Sequence, residues 1–160
     1  MPRNFKEWMM LVASLLLAHA AGVLGALFTA MSVSTWYAFI LKPEFAPPDF
    51  IFAPVWLTLY TLMAFALYLV WRESTWRTDV KWGLRWYLMQ LGLNALWSIL
   101  FFGLQSPLYG LICIAALLVS IAITMYFFFR VNTLAGALLI PYIVWVGFAT
   151  FLNYAIWVLN

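Results

Sequence analysis

Three stripes of aromatic and amide side chains hold the groups in this chain most able to do chemistry. Gln90, Asn94, Trp97, Ser98 and Phe101 recur at three- and four-residue spacings, which sets amides, a hydroxyl and two rings along one side of a helix. Trp56 and Tyr60 lie four apart, and Tyr142, Trp145, Ala149, Leu152 and Asn153 share a face of another helix, with small Ala149 between large rings as a slot. Between them runs an aromatic, proline-rich connection, Trp36-Tyr37-Ala38-Phe39-Ile40-Leu41-Lys42-Pro43-Glu44-Phe45-Ala46-Pro47-Pro48-Asp49. Stacked rings with few polar groups suit a flat, apolar small molecule. No acid is paired with a base and no nucleophile stands beside one; with one histidine and one cysteine, a metal site of the ordinary kind is not expected.

Each stripe has a plainer reading beside the binding one. Gln90 and Asn94 can simply bond neighbouring helices. Any single ring can be core packing, and Trp36 and Tyr37 can belong to an interfacial aromatic belt rather than to a lid. Ala18, Gly22 and Ala26, with Ala21 and Gly25, make a nearly flat face that reads first as helix packing, with His19 as a hydrogen-bonded neighbour. Cys113 reads as a small core residue.

The elements that position these residues follow from composition. Of 160 residues 68% are hydrophobic and 8% charged, far below the roughly 25% charged of soluble domains. Charge-free runs cover residues 8–41, 50–71, 86–129 and 131–160, and the third is split by Gln105-Ser106-Pro107. The expected fold is therefore an all-α integral membrane protein, a single five-transmembrane-helix bundle with spans at about 8–30, 51–71, 83–104, 108–129 and 134–158 and a lid loop at 31–50. Arg3, Lys6, Arg72, Arg77, Lys81, Arg85 and Arg130 then fall on one side and Lys42 on the other. By the positive-inside rule the N-terminus is cytoplasmic, and the 31–50 loop and C-terminus are outside, if the host is a bacterial inner membrane. The net charge of +3 thus reports topology and lipid contact, with no support for nucleic-acid binding. Ala18-His19-Ala20 has the form of a signal cleavage site, but the apolar stretch continues to Phe28, which suits an uncleaved span.

Trp36-Tyr37, Leu41-Lys42-Pro43, Pro47-Pro48 and Pro54-Val55-Trp56 resemble the signature of the TspO/translocator protein family, the tryptophan-rich sensory proteins. Gln90-Leu91 through Asn94, Trp97 and Phe101-Phe102-Gly103 agree with it, as do Pro141-Tyr142, Trp145, Phe148-Ala149-Thr150 and Leu152-Asn153-Tyr154. The resemblance implies a five-helix bundle, often a homodimer, that binds porphyrins such as protoporphyrin IX and benzodiazepine-site drugs under the first loop, with no cofactor required. Trp36, Tyr37, Lys42, Pro47 and Pro48 would form the lid, and Trp56, Asn94, Trp97, Trp145, Phe148 and Ala149 the wall. Trp56 and Trp145 would pack on the macrocycle, Asn94 would donate a hydrogen bond, and Lys42 would meet a propionate for about 1 kcal/mol or less.

Sensing, sequestration or transport of tetrapyrroles is the implied role. Two alternatives are a light- and oxygen-dependent porphyrin-degrading enzyme, with Trp56 and Trp145 as electron partners, and a transporter of another small hydrophobic molecule. The chain departs from the pattern at Glu44-Phe45, where the family usually has tryptophan after the lysine-proline pair and Phe45 can supply the stacking. Leu152 and Tyr154 are followed by no basic residue through Asn160, so a sterol function is not carried over.

Overall fold

Lipid offers no partner to a backbone amide, and the chain responds by keeping almost all of its backbone in helices. A computed structural model describes Pro2, residues 4–73 and residues 75–160. Arg3, one of the charges behind the orientation above, lies outside the described residues. The helices are α1 (Phe5–Val33), α2 (Trp36–Phe39), α3 (Phe52–Trp71), α4 (Thr78–Ser98), α5 (Pro107–Val131), α6 (Thr133–Ala137) and α7 (Ile140–Leu159). A 3-10 turn, Asp49–Ile51, leads into α3, and a π turn, Ile99–Gly103, extends α4.

Local chemistry sets the boundaries. Asn4 caps α1 by accepting from the Glu7 N–H at 2.9 Å, so that helix starts earlier than its apolar stretch. Ser106 precedes Pro107 at the first position of α5, where a missing N–H costs nothing. Gln105, just before it, has φ 52°, a left-handed conformation that strains a residue with a side chain. The Asn132 N–H closes α5 on the Phe128 carbonyl at 2.8 Å while its Oδ1 opens α6 by accepting from Ala135 at 3.1 Å. The expected span at 134–158 is interrupted at Leu138 and Leu139, because Pro141 has no N–H to give the Ala137 carbonyl and its ring would collide there.

Four helical stretches, Phe5–Val33, Asp49–Trp71, Pro107–Val131 and Thr133–Leu159, are long and apolar enough to cross a bilayer. The remaining long helix, α4, begins five residues before the expected 83 and carries Asp79, Lys81 and Arg85 in its first turns. Around the bundle, α1 packs between α3 and α4, α5 between α4 and α7, and α6 closes against α3. Leu16, Val23, Leu27 and Met31 of α1, Ile112 and Val119 of α5, and Val144, Phe151 and Val158 of α7 face outward. Such an exterior fits hydrocarbon and not water.

The ends of the bundle are fixed by polar contacts. The Tyr68 hydroxyl donates to Glu7 Oε2 at 3.1 Å, bringing the end of α3 to the start of α1, and Arg130 meets Asp79 at 3.3 Å, bringing the end of α5 to the start of α4. The residues 31–50 and Asn160 gather at the other end. The flat face of α1 packs inside the chain at Ala18, Ala21, Gly22 and Gly25, while Ala26 is exposed. A Cβ on Gly22 would stand 2.5 Å from the Tyr60 ring, and one on Gly25 would stand 2.8 Å from Ser98 Oγ. His19 bonds the Leu15 carbonyl at 2.9 Å beside this face.

Gly22→Ala is expected to destabilise the protein by about 1–3 kcal/mol, the usual cost of overpacking. Gly147, where an added Cβ meets nothing within 4 Å, is the control, and its alanine variant should be neutral or slightly stabilising. Thermal unfolding in detergent, followed by circular dichroism, measures both.

Candidate functional site

At the level of α3 and α4 a chain of amides and phenols crosses the bundle. The Tyr60 hydroxyl donates to Asn94 Oδ1, Asn94 Nδ2 donates to the Tyr142 hydroxyl at 3.2 Å, and that hydroxyl donates to Gln90 Oε1 at 2.8 Å. All four side chains are buried, and they come from α3, α4 and α7. Gln90 Nε2 ends the chain without a hydrogen-bond partner among the described residues. Both functional groups of Asn94 are thereby committed to tyrosines, the interhelical bonding that the sequence left open beside a ligand contact.

On this scaffold sit the rings. Trp56 stacks on Tyr60 with centroids 5.5 Å apart and meets Tyr142 edge-on at 6.4 Å. Trp145 stands 5.7 Å from Phe52 and 5.6 Å from Phe148, while Ala149 is buried one turn on. Trp97 stacks on Phe101 at 5.3 Å and donates its indole N–H to Asn153 Oδ1 at 3.1 Å; Asn153 Nδ2 in turn donates to the Pro107 carbonyl at 2.7 Å. By contrast the Trp145 indole N–H is buried with no partner among the described residues. An orphan donor of this kind costs free energy until something accepts from it.

The connection between α1 and α3 divides into two parts. Its first part is packed down. Tyr37 is buried against Phe101 and Phe102, Trp36 meets Phe101 edge-on at 5.5 Å, and the Lys42 ammonium lies 4.0 Å above the Tyr37 ring. Burial, and secondarily the charge of Asp49, push the Tyr37 hydroxyl up to about 12, so it stays neutral at physiological pH. A cation over the face of a neutral ring is an attraction, so this contact holds Lys42 onto Tyr37.

Its second part is a strap. Leu41 pairs with Asn160, Phe45 stacks on Phe151 at 5.0 Å and approaches Phe148 at 6.4 Å, and Phe52 packs on Trp145. As residue numbers rise along the strap they fall along α7, so residues 41–52 lie antiparallel on that helix. Pro47 is half-buried within it, and exposed Pro48 accepts from the Ile51 N–H at 3.0 Å to start the 3-10 turn. Phe45 thus does stack at the position where the signature departs from its usual tryptophan.

The expected wall residues fall into two neighbouring groups. Trp56, Trp145 and Ala149 pack in one cluster, with Asn94 bonded to Tyr60 and Tyr142 beside Trp56, while Phe148 joins Trp36 and Tyr37 in the other and touches Trp145 across the boundary, and Trp97 packs against both. A cleft of about 370 Å³ opens between α3 and α7, with Trp145, Val55, Leu59 and Pro141 among its walls. A second, of about 360 Å³, lies between Trp36, Gln105, Trp157 and Asn160. Phe52 and Asn160 were not singled out from sequence. Phe52 carried no periodic signal apart from its neighbours, and the partner of Asn160 is a backbone group that no spacing announces.

Residues 14–158 match the TspO/MBR family. The chain is 47% identical over 151 residues to the tryptophan-rich protein TspO of Archaeoglobus fulgidus, covering 94% of this chain and 96% of that protein. It is 36% identical to the translocator protein of Bos taurus, covering 94% and 89%, and 32% identical to the tryptophan-rich sensory protein of Cereibacter sphaeroides, covering 96% and 93%.

Tyr142→Phe removes a hydroxyl that accepts from Asn94 and donates to Gln90. It should lower stability by about 1–3 kcal/mol, since two buried amides lose their partner. Tyr109→Phe, at an exposed ring, should change it little. Chemical denaturation in mild detergent compares the two.

Proposed function

The chain belongs to the TspO/MBR family of multi-pass integral membrane proteins, and from that premise we propose that it binds a flat hydrophobic tetrapyrrole of the protoporphyrin IX type beneath the 41–52 strap. The observation that carries this reading is the half-buried pair Trp56 and Trp145, offered by two different helices, with the Trp145 N–H lacking an acceptor. In this reading the two indoles supply apolar ring contact, and the Trp145 N–H donates to a ligand oxygen or nitrogen. Lys42, over the Tyr37 ring, meets a propionate in this reading. The cleft beside Trp145, about 370 Å³, is at the lower end of the roughly 300–1,000 Å³ of small-molecule sites. None of residues 41–52 lines that cleft; in this reading the macrocycle enters beside it with the strap displaced, and the strap excludes lipid and water once it returns.

The membrane setting belongs to the same proposal. Helix α4 is the fifth span: its outward residues Leu88, Met89 and Leu96 are apolar, and it packs between α1 and α5, which are themselves long enough to cross. Lys6, Arg72, Arg77, Lys81, Arg85 and Arg130 face the cytoplasm, and the strap and Asn160 face the other compartment. The role is binding, in sensing, sequestration or passage of the tetrapyrrole.

Titration of the detergent-purified protein with protoporphyrin IX in the dark, following tryptophan fluorescence, tests this. Saturable quenching is expected. Trp145→Ala should weaken binding at least about tenfold, since it removes a ring contact and a buried donor. Lys42→Ala should weaken it no more than about fivefold, because its ion pair is exposed. Absence of saturable quenching overturns the proposal.

A further inference from the structure

Among the described residues the strap has one polar fastening to α7, and it is made by a single side chain. The Leu41 N–H donates to Asn160 Oδ1 at 3.0 Å, and Asn160 Nδ2 donates back to the Leu41 carbonyl at 3.0 Å. The same Nδ2 also donates to the Ile156 carbonyl at 2.8 Å, so the amide is oriented by its own helix before it meets the strap. One amide therefore satisfies both backbone groups of one strap residue, the pairing that a neighbouring strand would give. Below it the strap touches α7 only through apolar rings, Phe45 on Phe151 and Phe148 and Phe52 on Trp145. Its other hydrogen bonds among the described residues are internal, Ala46 N–H to Pro43 carbonyl and Ile51 N–H to Pro48 carbonyl, both at 3.0 Å, and Phe52 N–H to Asp49 carbonyl.

This asymmetry has a mechanical consequence. Ring contacts in a bilayer are readily replaced by lipid tails, which are as apolar as the rings themselves. A backbone N–H and carbonyl are not replaced so easily, and here they form the specific attachment. Pro43, Pro47 and Pro48 restrict the strap between its ends, so it moves as a stiff unit rather than fraying residue by residue. The Asn160 amide also borders the 360 Å³ cleft shared with Trp36 and Trp157, at the interfacial end of the bundle where water competes for its bonds. The fastening is thus weak enough to open and specific enough to close in one register.

We propose that Asn160 is the latch of the strap, a positioning residue whose two bonds to Leu41 set how often residues 41–52 lift from α7 and so how fast a ligand reaches the rings beneath. This deepens the binding function proposed above and rests on it for the ligand arm of the test. If a ligand enters and leaves only while the strap is open, and the latch is the same with and without it, loosening the latch speeds both directions by one factor and leaves affinity unchanged.

The test compares the protein with its Asn160→Leu variant, which removes both bonds, and its Asn160→Asp variant, which keeps an acceptor for the Leu41 N–H but sets an oxygen against the Leu41 carbonyl. Hydrogen exchange in detergent needs no ligand. The Leu41 amide and the buried Trp145 indole N–H, against which Phe52 of the strap packs, should exchange about fivefold faster or more in both variants, the factor that one net hydrogen bond of ordinary strength gives, with amides in the middle of α3 and α7 unchanged. Stopped-flow mixing with protoporphyrin IX in the dark should show association and dissociation both about fivefold faster, with the dissociation constant within about twofold of the parent. Faster exchange at Leu41 alone means local fraying and overturns the latch. Strap-wide acceleration with unchanged ligand rates overturns its role as a gate. If the parent protein shows no quenching, the binding proposal fails, and exchange at the Trp145 indole N–H still decides whether Asn160 latches the strap.

Discussion

A polar side chain surrounded by hydrocarbon must find its partner inside the protein, and a buried run of groups, Tyr60, Asn94, Tyr142 and Gln90, does so here across three helices, leaving Gln90 Nε2 unpaired among the described residues. Helices in lipid gain little from hydrophobic association, since the tails are as apolar as the side chains, so directional bonds and close contact carry more of the burden. The run ties α3, α4 and α7 at one depth. It also fixes the rings: Trp56 lies on the Tyr60 phenol, and the edge of that indole rests on Tyr142. Gly22 contributes from α1 by leaving room for the Tyr60 ring. The placement of the aromatic wall is thus a consequence of hydrogen bonding behind it.

The strap follows from the same constraint in the opposite sense. Residues 41–52 are not helical through most of their length, so their backbone groups need partners at the edge of the membrane. Prolines remove some of those donors, short turns at Ala46 and Ile51 satisfy others, and Asn160 satisfies Leu41. Ring contact with α7 and the Lys42 ammonium over Tyr37 also hold the segment down. A cover fastened in this way is ordered yet detachable, which suits an element lying over a ligand site.

Much of this was legible in the sequence, and the parts that were not have identifiable reasons. The four most apolar helices were announced by charge-free runs of membrane length. The start of α4 was not, because Asp79, Lys81 and Arg85 are good enough helix residues to extend the helix beyond its apolar part. The break at Leu138 and Leu139 is hidden inside an unbroken apolar run, with Pro141 as its one signal. Helical spacing put Gln90 beside Asn94 and Trp56 beside Tyr60, since those relations are local. It could not say that Asn94 would bond Tyr60 and Tyr142, nor that the strap would run antiparallel along α7, because pairings between distant segments are set by tertiary packing. Asn160 is the clearest case: its partners are the main-chain groups of Leu41, identical in type to those of every other residue.

The most direct examination of the ring-lined site is the indole region of a proton–nitrogen correlation spectrum, recorded in the dark with and without protoporphyrin IX. The ten tryptophans report separately, and a bound macrocycle shifts nearby indoles through its ring current. If the ligand lies under the strap, Trp56, Trp97 and Trp145 shift, with the Trp145 N–H moving downfield as it gains an acceptor, while Trp8, Trp76 and Trp82 at the far end stay in place. Shifts confined to those distant indoles, or a Trp145 resonance unmoved at saturation, would contradict it.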